Sequence, residues 1–380
     1  MYPAGPEYFG EYALAFWKAG ASLVGGCCGT TPQHIAAMRQ AIDTARVEKL
    51  LNGAAVSLVD REEVLPPSEQ STRLARQLAS GKFVVAVEMD PPRGLSTHKV
   101  LAGASLLAEA WADVIDVADS PMARMRMSPW AVCSLIQTQV GIETVLHFPT
   151  RGRNLLRVHG DLLAAHALGV RNVFVVMGDP TAIGDYPNAM DNFYLVPSGL
   201  IKLVKQRFNL GFDHSGSTIG QPTTFFVGCA LNPNPSDVSD EIKNLRRKIN
   251  SGADFILTQP VFDVEPIVAF LRLYERQHGP LRVPVLVGVL PLANSRHAAF
   301  LNHEVPGISI PEKTLQRMAQ DGENDPRTGV RIAIELVERL KDVVQGVYLM
   351  PAFNRFDYVA EIIEAVSERK PLQTGNKRDQ

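Results

Sequence analysis

The chain has 380 residues, 46% hydrophobic and 21% charged, a composition that supports a folded core and rules out a mostly disordered polymer. Its 38 basic and 40 acidic side chains leave a formal charge of −2, so no basic field is available to neutralise a run of phosphates, which argues against a nucleic-acid partner. No apolar run reaches the ~18 residues that span a bilayer, the N-terminus lacks a basic segment followed by an apolar core, and four cysteines are too few for a disulfide scaffold; no membrane partner and a cytoplasmic location are expected.

In chain order, Glu7–Ala19 reads as an amphipathic helix, Ala21–Val24 as a short strand, and Gly25 to Pro32 as a glycine-rich turn. Thr31 is placed to cap the following helix with Pro32 at its first position. This βα unit, residues 1–50, is too small to bury a core alone. Residues 51–81 carry Asp60-Arg61-Glu62-Glu63 and Pro66-Pro67-Ser68, the composition of a linker. Eight runs rich in Val, Ile and Phe follow: Phe83–Met89, Asp113–Val117, Glu143–Phe148, Asn172–Met177, Thr224–Leu231, Asp254–Thr258, Val283–Val289 and Gly346–Met350. Each is mostly apolar on both faces, as a buried parallel strand should be. Helical stretches such as Asp161–Gly169 and Ser236–Ser251 separate them, and Asp325-Pro326 is a start signal for a helix running to about Val344. Eight strands alternating with helices over residues 82–367 fit an α/β class (β/α)8 TIM barrel, with an open doubly wound sheet as the alternative. Residues 368–380 form a polar tail.

In such a barrel the chemistry sits at the carboxyl ends of the strands. There the sequence places Glu88, Asp119-Ser120, His147, Gly178-Asp179, Asn232, Gln259 and, after the last strand, Asn354-Arg355. Glu88 ends an apolar strand; desolvation there would raise its pKa and suit it to be a general acid, whereas an ion pair with Arg93 would do the opposite. Asp179 follows a glycine that permits close backbone approach to a ligand, although Gly-Asp-Pro also makes a plain turn. Glu241, Asn244 and Lys248 share one helical face with Arg247 beside it, a set able to hold a ribose and phosphates, or simply a solvated surface. Cys27-Cys28 could give two thiolates to zinc, which needs three or four ligands, so no metal site is assigned. Cys133 and Cys229 read as core residues. Neither a Walker A sequence nor Gly-x-Gly-x-x-Gly is present.

Six segments, in order, resemble the methylenetetrahydrofolate reductase family: Val87-Glu88-Met89-Asp90-Pro91-Pro92-Arg93, Met177-Gly178-Asp179, residues 244–248, residues 252–263 from Gly252 to Asp263, Gly288-Val289-Leu290-Pro291 and Phe353-Asn354-Arg355. The resemblance implies an eight-stranded barrel that binds FAD without the Rossmann fingerprint and reduces 5,10-methylenetetrahydrofolate with NAD(P)H. It implies Glu88 as the general acid and Asp179 as the aspartate beside flavin and pterin. Gln259, His297 and Arg355 would contact the substrate, and His147, Gly178, Glu241, Asn244, Arg247 and Lys248 the FAD. Three positions depart from the family pattern: Met177 replaces an arginine, Ala118-Asp119 replaces Thr-Tyr, and Leu301 replaces an aromatic side chain, leaving the electron donor open.

Residues 1 to about 45 resemble instead the end of the homocysteine S-methyltransferase family, through Gly25-Gly26-Cys27-Cys28-Gly29-Thr30-Thr31-Pro32-Gln33-His34. That resemblance implies a C-terminal remnant without the third zinc-ligating cysteine, and no methyltransferase activity from this chain. Two other functions stay open at this level: a methyltransferase fragment that needs a partner chain, and a non-catalytic flavin- or folate-binding barrel. A homo-oligomer is equally compatible.

Overall fold

The computed structural model describes residues 4–27, 29–52, 71–305, 307–320, 325 and 327–367. Cys28, the polar stretch at 60–68 and the tail beyond 367 lie outside the described residues. The chain divides into two compact units, Met1–Pro67 and Ser68–Gln380.

The first unit contains α1 (Pro6–Lys18) and α2 (Pro32–Asn52), which bury Ala13 and Met38. Gly10 brings the helices close, since a Cβ there would lie 3.2 Å from the Ala37 carbonyl oxygen. The expected strand at Ala21–Val24 is corrected: these residues are irregular. A strand is stabilised by a neighbouring strand, and among the described residues this unit offers none.

The second unit is a closed barrel of eight parallel strands in sequential order. They are β1 (Val84–Met89), β2 (Val114–Val117), β3 (Thr144–Pro149), β4 (Asn172–Val176), β5 (Phe226–Leu231), β6 (Phe255–Pro260), β7 (Val285–Val289) and β8 (Gly346–Leu349). The outer helices are α4 (His98–Glu109), α5 (Pro129–Gln139), α6 (Leu155–Ala167), α7 (Pro197–Gln206), α8 (Val238–Asn250), α9 (Glu265–His278), α10 (Ser295–Glu304), α11 (Glu312–Gln320), α12 (Thr328–Leu340) and α13 (Phe356–Val366). They are preceded by α3 (Arg73–Ala79).

The two apolar faces of each strand feed two cores. Val84, Ala86, Val114, Val145, Phe174, Leu257, Leu286 and Tyr348 fill the barrel interior. Their neighbours in sequence, such as Val85, Val87, Ile115, Leu146 and Val287, pack outward under the helices. The linker expected over 51–81 is corrected at Arg73–Ala79, which is a helix of the barrel unit. Leu74 and Leu78, one turn apart, bury into the interior core. The backbone N–H groups of Arg73 and Leu74 donate to the Glu143 carboxylate at 2.6 and 2.9 Å, so the start of α3 is tied to the start of β3. No helix among the described residues is long and apolar enough to cross a membrane.

Candidate active site at the carboxyl end of the barrel

The interior changes from apolar to ionisable one step before the strands end. Glu88 on β1 and Asp116 on β2 are Cα partners in the parallel register, and both continue the inward-facing series of Ala86 and Val114. His147 on β3 stands one inward position above Val145, which pairs with Asp116. The three groups therefore share the floor of the barrel mouth. Asp116 is completely buried, and neither of its carboxylate oxygens has a hydrogen-bond partner among the described residues. Its nearest counter-group is His147 Nε2, 3.6 Å from Oδ1. The His147 ring is held edge-on to Phe174, with centroids 4.9 Å apart.

Glu88 is partly open to the mouth above this floor. Burial pushes its carboxyl up to about 7; His147 opposes the shift, and the nearby carboxylates of Asp90, Asp116 and Asp179 reinforce it. The desolvated-acid reading of Glu88 is therefore the one the geometry supports. Arg93 acts instead on Asp90, whose carboxyl is raised by burial and lowered by Arg126, His147 and Arg93. Arg126 Nη2 lies 3.1 Å from Asp90 Oδ2. Glu88, Asp90, Arg124, Arg126, Met350 and Asn354 line a cavity of about 410 Å³ that opens at this end.

Asp179 lies across the mouth, in the loop after β4. Its Oδ2 accepts a 2.6 Å hydrogen bond from the Met122 N–H in the loop after β2, and its backbone carbonyl accepts from the Arg151 guanidinium. Gly178 has φ of +91°, and a Cβ there would lie 3.0 Å from Pro149 Cβ and 3.2 Å from Arg151 Cβ. This is a position where glycine is required. Asp119, at the end of β2, is occupied by Arg153 at 2.7 Å and so serves the scaffold. Leu301 is buried in a satellite core with Phe262, Leu292 and Ile310, so its side chain is not part of the mouth.

The α8 face is only in part a solvated surface. The Glu241 carboxylate accepts from the Asn232 N–H at 3.1 Å, fastening α8 to the end of β5. Lys248 Nζ donates to the Ala230 carbonyl at 2.7 Å and lies 4.0 Å from Glu241 Oε1. Arg247 donates to the Asn244 side-chain oxygen. Two cavities of about 300 and 310 Å³ flank Lys248. Glu241, Asn232 and Gln259 line the first; Asn244, Arg247, Met177 and Pro197 line the second.

Gln259 reaches that cavity through an irregularity in β6. The β6–β7 register shifts between Leu257 and Pro260, and such a bulge re-aims a side chain. Thr258 Oγ1 ties the bulge, donating to the Gln259 carbonyl at 2.7 Å and accepting from Gly288 N at 2.9 Å.

Two residues expected at the substrate are engaged elsewhere. His297, near the start of α10, accepts from the Ala293 N–H through Nδ1 at 3.2 Å, and burial lowers its pKa. Its ring lies 5.0 Å from that of Phe353, which does line the Glu88 cavity. Arg355 makes two hydrogen bonds to Asp357, 2.8 and 2.6 Å, and lies over the Tyr358 ring at 3.6 Å. It is not among the residues lining the Glu88 cavity, although its neighbour Asn354 is. Cys27 is exposed, and among the described residues no group of three or more His, Cys, Asp or Glu is placed to hold a metal. Burial pushes the Cys133 and Cys229 thiols up to about 12, in keeping with core positions.

A larger cavity, about 710 Å³, opens at the opposite end of the barrel. Its lysines are already engaged, Lys82 by Asp113 and Lys341 by Glu338 and the Val366 carbonyl. The perturbed acids lie at the carboxyl end, and that is where we place the site. Sequence reading missed Asp116 and gave no role to Arg126. Asp116 did carry a signal: a lone carboxylate inside Val114-Ile115-Asp116-Val117, on the inward-facing phase set by Val114.

Residues 1–42 match the Homocysteine S-methyltransferase family. Methylenetetrahydrofolate reductase 1 of Schizosaccharomyces pombe is 24% identical over 216 residues, which cover 55% of this chain and 33% of that protein. This chain thus matches about a third of the fungal relative's length. The 5,10-methylenetetrahydrofolate reductase of Escherichia coli K12 is 23% identical over 286 residues, 72% of this chain and 88% of that one. A solved structure, an uncharacterized protein from Clostridium thermocellum described as binding two copies of 5-methyl-5,6,7,8-tetrahydrofolic acid, superposes with a TM-score of 0.53. At 14% identity, covering 77% of this chain and 98% of that one, it shows a shared fold. The family profile of methylenetetrahydrofolate reductase matches residues 73–367, taking in α3 and the whole barrel, and the chain belongs to that family.

Proposed function

We propose that the barrel reduces 5,10-methylenetetrahydrofolate to 5-methyltetrahydrofolate, with FAD as cofactor and NAD(P)H as donor. The observation that carries the reading is Glu88: a carboxyl at the barrel mouth, raised to about 7 by burial, that keeps its proton near neutral pH. Donated to a ring nitrogen of the folate, that proton opens the imidazolidine ring and leaves an iminium carbon ready for hydride. Glu88 is then the anion and regains a proton before the next turnover. Family membership and the folate ligand named for the Clostridium thermocellum protein support the same substrate class.

The residues present fit a flavin dinucleotide. Gly178 has a left-handed backbone, φ +91°, packed against Pro149 and Arg151, so no side chain of its own projects at this end of β4. The cavity of about 310 Å³ beside Lys248 combines the apolar wall of Val175, Val176 and Pro197 with Asn244, Arg247 and Lys248. Asn244, Arg247 and Lys248 would hold phosphates and ribose, with Glu241 bracing Lys248; Gly178 and His147 would border the ring system. When bound, the flavin supplies the two-electron chemistry. Asp179 and Gln259 would orient the pterin. Asp179 must exchange its Met122 N–H bond, or share it, to do so.

The test is the anaerobic visible spectrum of the purified chain. Yellow colour bleached by NADH or NADPH and restored by methylenetetrahydrofolate is the expected result. A colourless protein that takes up no added FAD would overturn the cofactor assignment and with it the reduction.

A further inference from the structure

A buried carboxyl with no hydrogen bond needs an explanation. Among the described residues Asp116 is the most conspicuous such group in the barrel: fully buried, both oxygens orphaned, with His147 Nε2 as its one close counter-group at 3.6 Å. It is the register partner of Glu88 on the adjacent strand, and both side chains face the interior. Two carboxylates side by side in a desolvated interior do not both ionise readily. Their immediate neighbours differ. His147 sits at ion-pair distance from Asp116, while Glu88 opens to the mouth with further carboxylates around it.

We propose that Asp116 is a positioning residue for Glu88: the two carboxyls hold one proton between them at neutral pH, and His147 makes Asp116 the member that ionises, so the proton rests on Glu88. The proposal deepens the reductase reading and rests on it for its meaning, because it explains how the acid facing the substrate stays loaded. The charged and titratable groups around the pair are few. Asp90 directly follows β1 with Arg126 and Arg93 acting on it, His147 is on β3, Asp179 is in the loop after β4, and Cys133 of α5 is close enough to Asp116 to feel its charge. Directions agree with the assignment. Burial raises both acids, the charge of His147 lowers both, and it is Asp116 that His147 Nε2 faces at 3.6 Å. Asp116 in turn is one of the charges that raise Glu88.

The experiment is a carboxyl ¹³C NMR titration of the full chain without folate or donor, with the two resonances assigned through Glu88→Gln and Asp116→Asn. In the wild type, Asp116 is expected to ionise first and Glu88 last. In Asp116→Asn, the Glu88 titration is expected to fall by about one pH unit or more. In His147→Gln, Asp116 is expected to become the late-titrating group. The alkaline limb of folate reduction should move in Asp116→Asn by the same shift, with flavin reduction by the donor unchanged. Glu88 ionising before Asp116 in the wild type, or an unmoved Glu88 titration in Asp116→Asn, would overturn the proposal. Glu88→Gln alone identifies the Glu88 resonance, so the wild-type order stands as a test even where Asp116→Asn or His147→Gln fails to fold. Failure of the reductase reading would show separately, as wild-type protein that titrates as described but never reduces the folate.

Discussion

At the scale of single residues, Glu88 links function to stability. Its folded pKa is raised from 4.5 to about 7, so the folded state holds the proton more tightly than the unfolded chain does. That preference favours folding below the unfolded pKa and fades as pH rises through the folded value. At about 1.4 kcal/mol per pH unit the ionised carboxylate costs the folded state roughly 3 kcal/mol above about pH 7, an upper figure because Glu88 keeps some contact with solvent. Glu88→Gln removes that cost. The variant is expected to melt higher than wild type at about pH 8, with the gap closing by about pH 5, and to lose folate reduction while retaining flavin reduction by the donor. Thermal melts across pH and the two half-reactions check this. A variant that turns over folate at the wild-type rate would remove Glu88 from the chemistry.

At the scale of elements, the carboxyl-end loops place side chains that strand phase alone does not. Gln259 depends on the β6 bulge, and the bulge depends on Gly288. A Cβ on Gly288 would lie 2.6 Å from the Thr258 carbonyl oxygen and 2.9 Å from Gln259 backbone atoms. Gly288→Ala is therefore expected to destabilise by about 1–3 kcal/mol and to displace Gln259, raising the KM for folate. Denaturant melts and steady-state kinetics would detect both effects, and wild-type values in each would show that the bulge is not what aims Gln259. The same contrast explains what the sequence could reveal. Strands such as Val84–Met89 were legible to within a residue or two because buried parallel strands are apolar on both faces. Glu88, His147 and Gln259 were legible as polar groups where those runs end. The α3 plug was not, because Arg73–Ala79 is short and flanked by polar residues, and only the barrel base gives Leu74 and Leu78 a partner. Nor were the locks on Arg355 and His297, since Asp357 and the Ala293 N–H could as easily have been spectators on the page.

At the scale of the molecule, one end of the barrel is built for chemistry and the other for closure. The perturbed acids Glu88, Asp90 and Asp116 lie at the carboxyl end, whereas α3 and its Glu143 tie close the amino end. Every buried residue of the two barrel cores and of the satellite core, as described, falls between Leu74 and Val366. The described cores of the barrel are thus built from its own residues, and burial of that surface is what drives folding. A chain of residues 68–380 is therefore expected to fold cooperatively, to hold FAD and to show the same half-reactions as the full chain. Within it, Leu74→Ala should cost about 2–5 kcal/mol, because it empties a fully enclosed position, yet leave the visible spectrum unchanged, because the cavity forms at the end remote from the proposed flavin site. Calorimetry and flavin absorbance on the two proteins separate these effects. A shortened chain that melts without cooperativity would show that residues 1–67 belong to the folding unit, and a Leu74→Ala protein that lost its flavin would show that the two ends of the barrel are coupled.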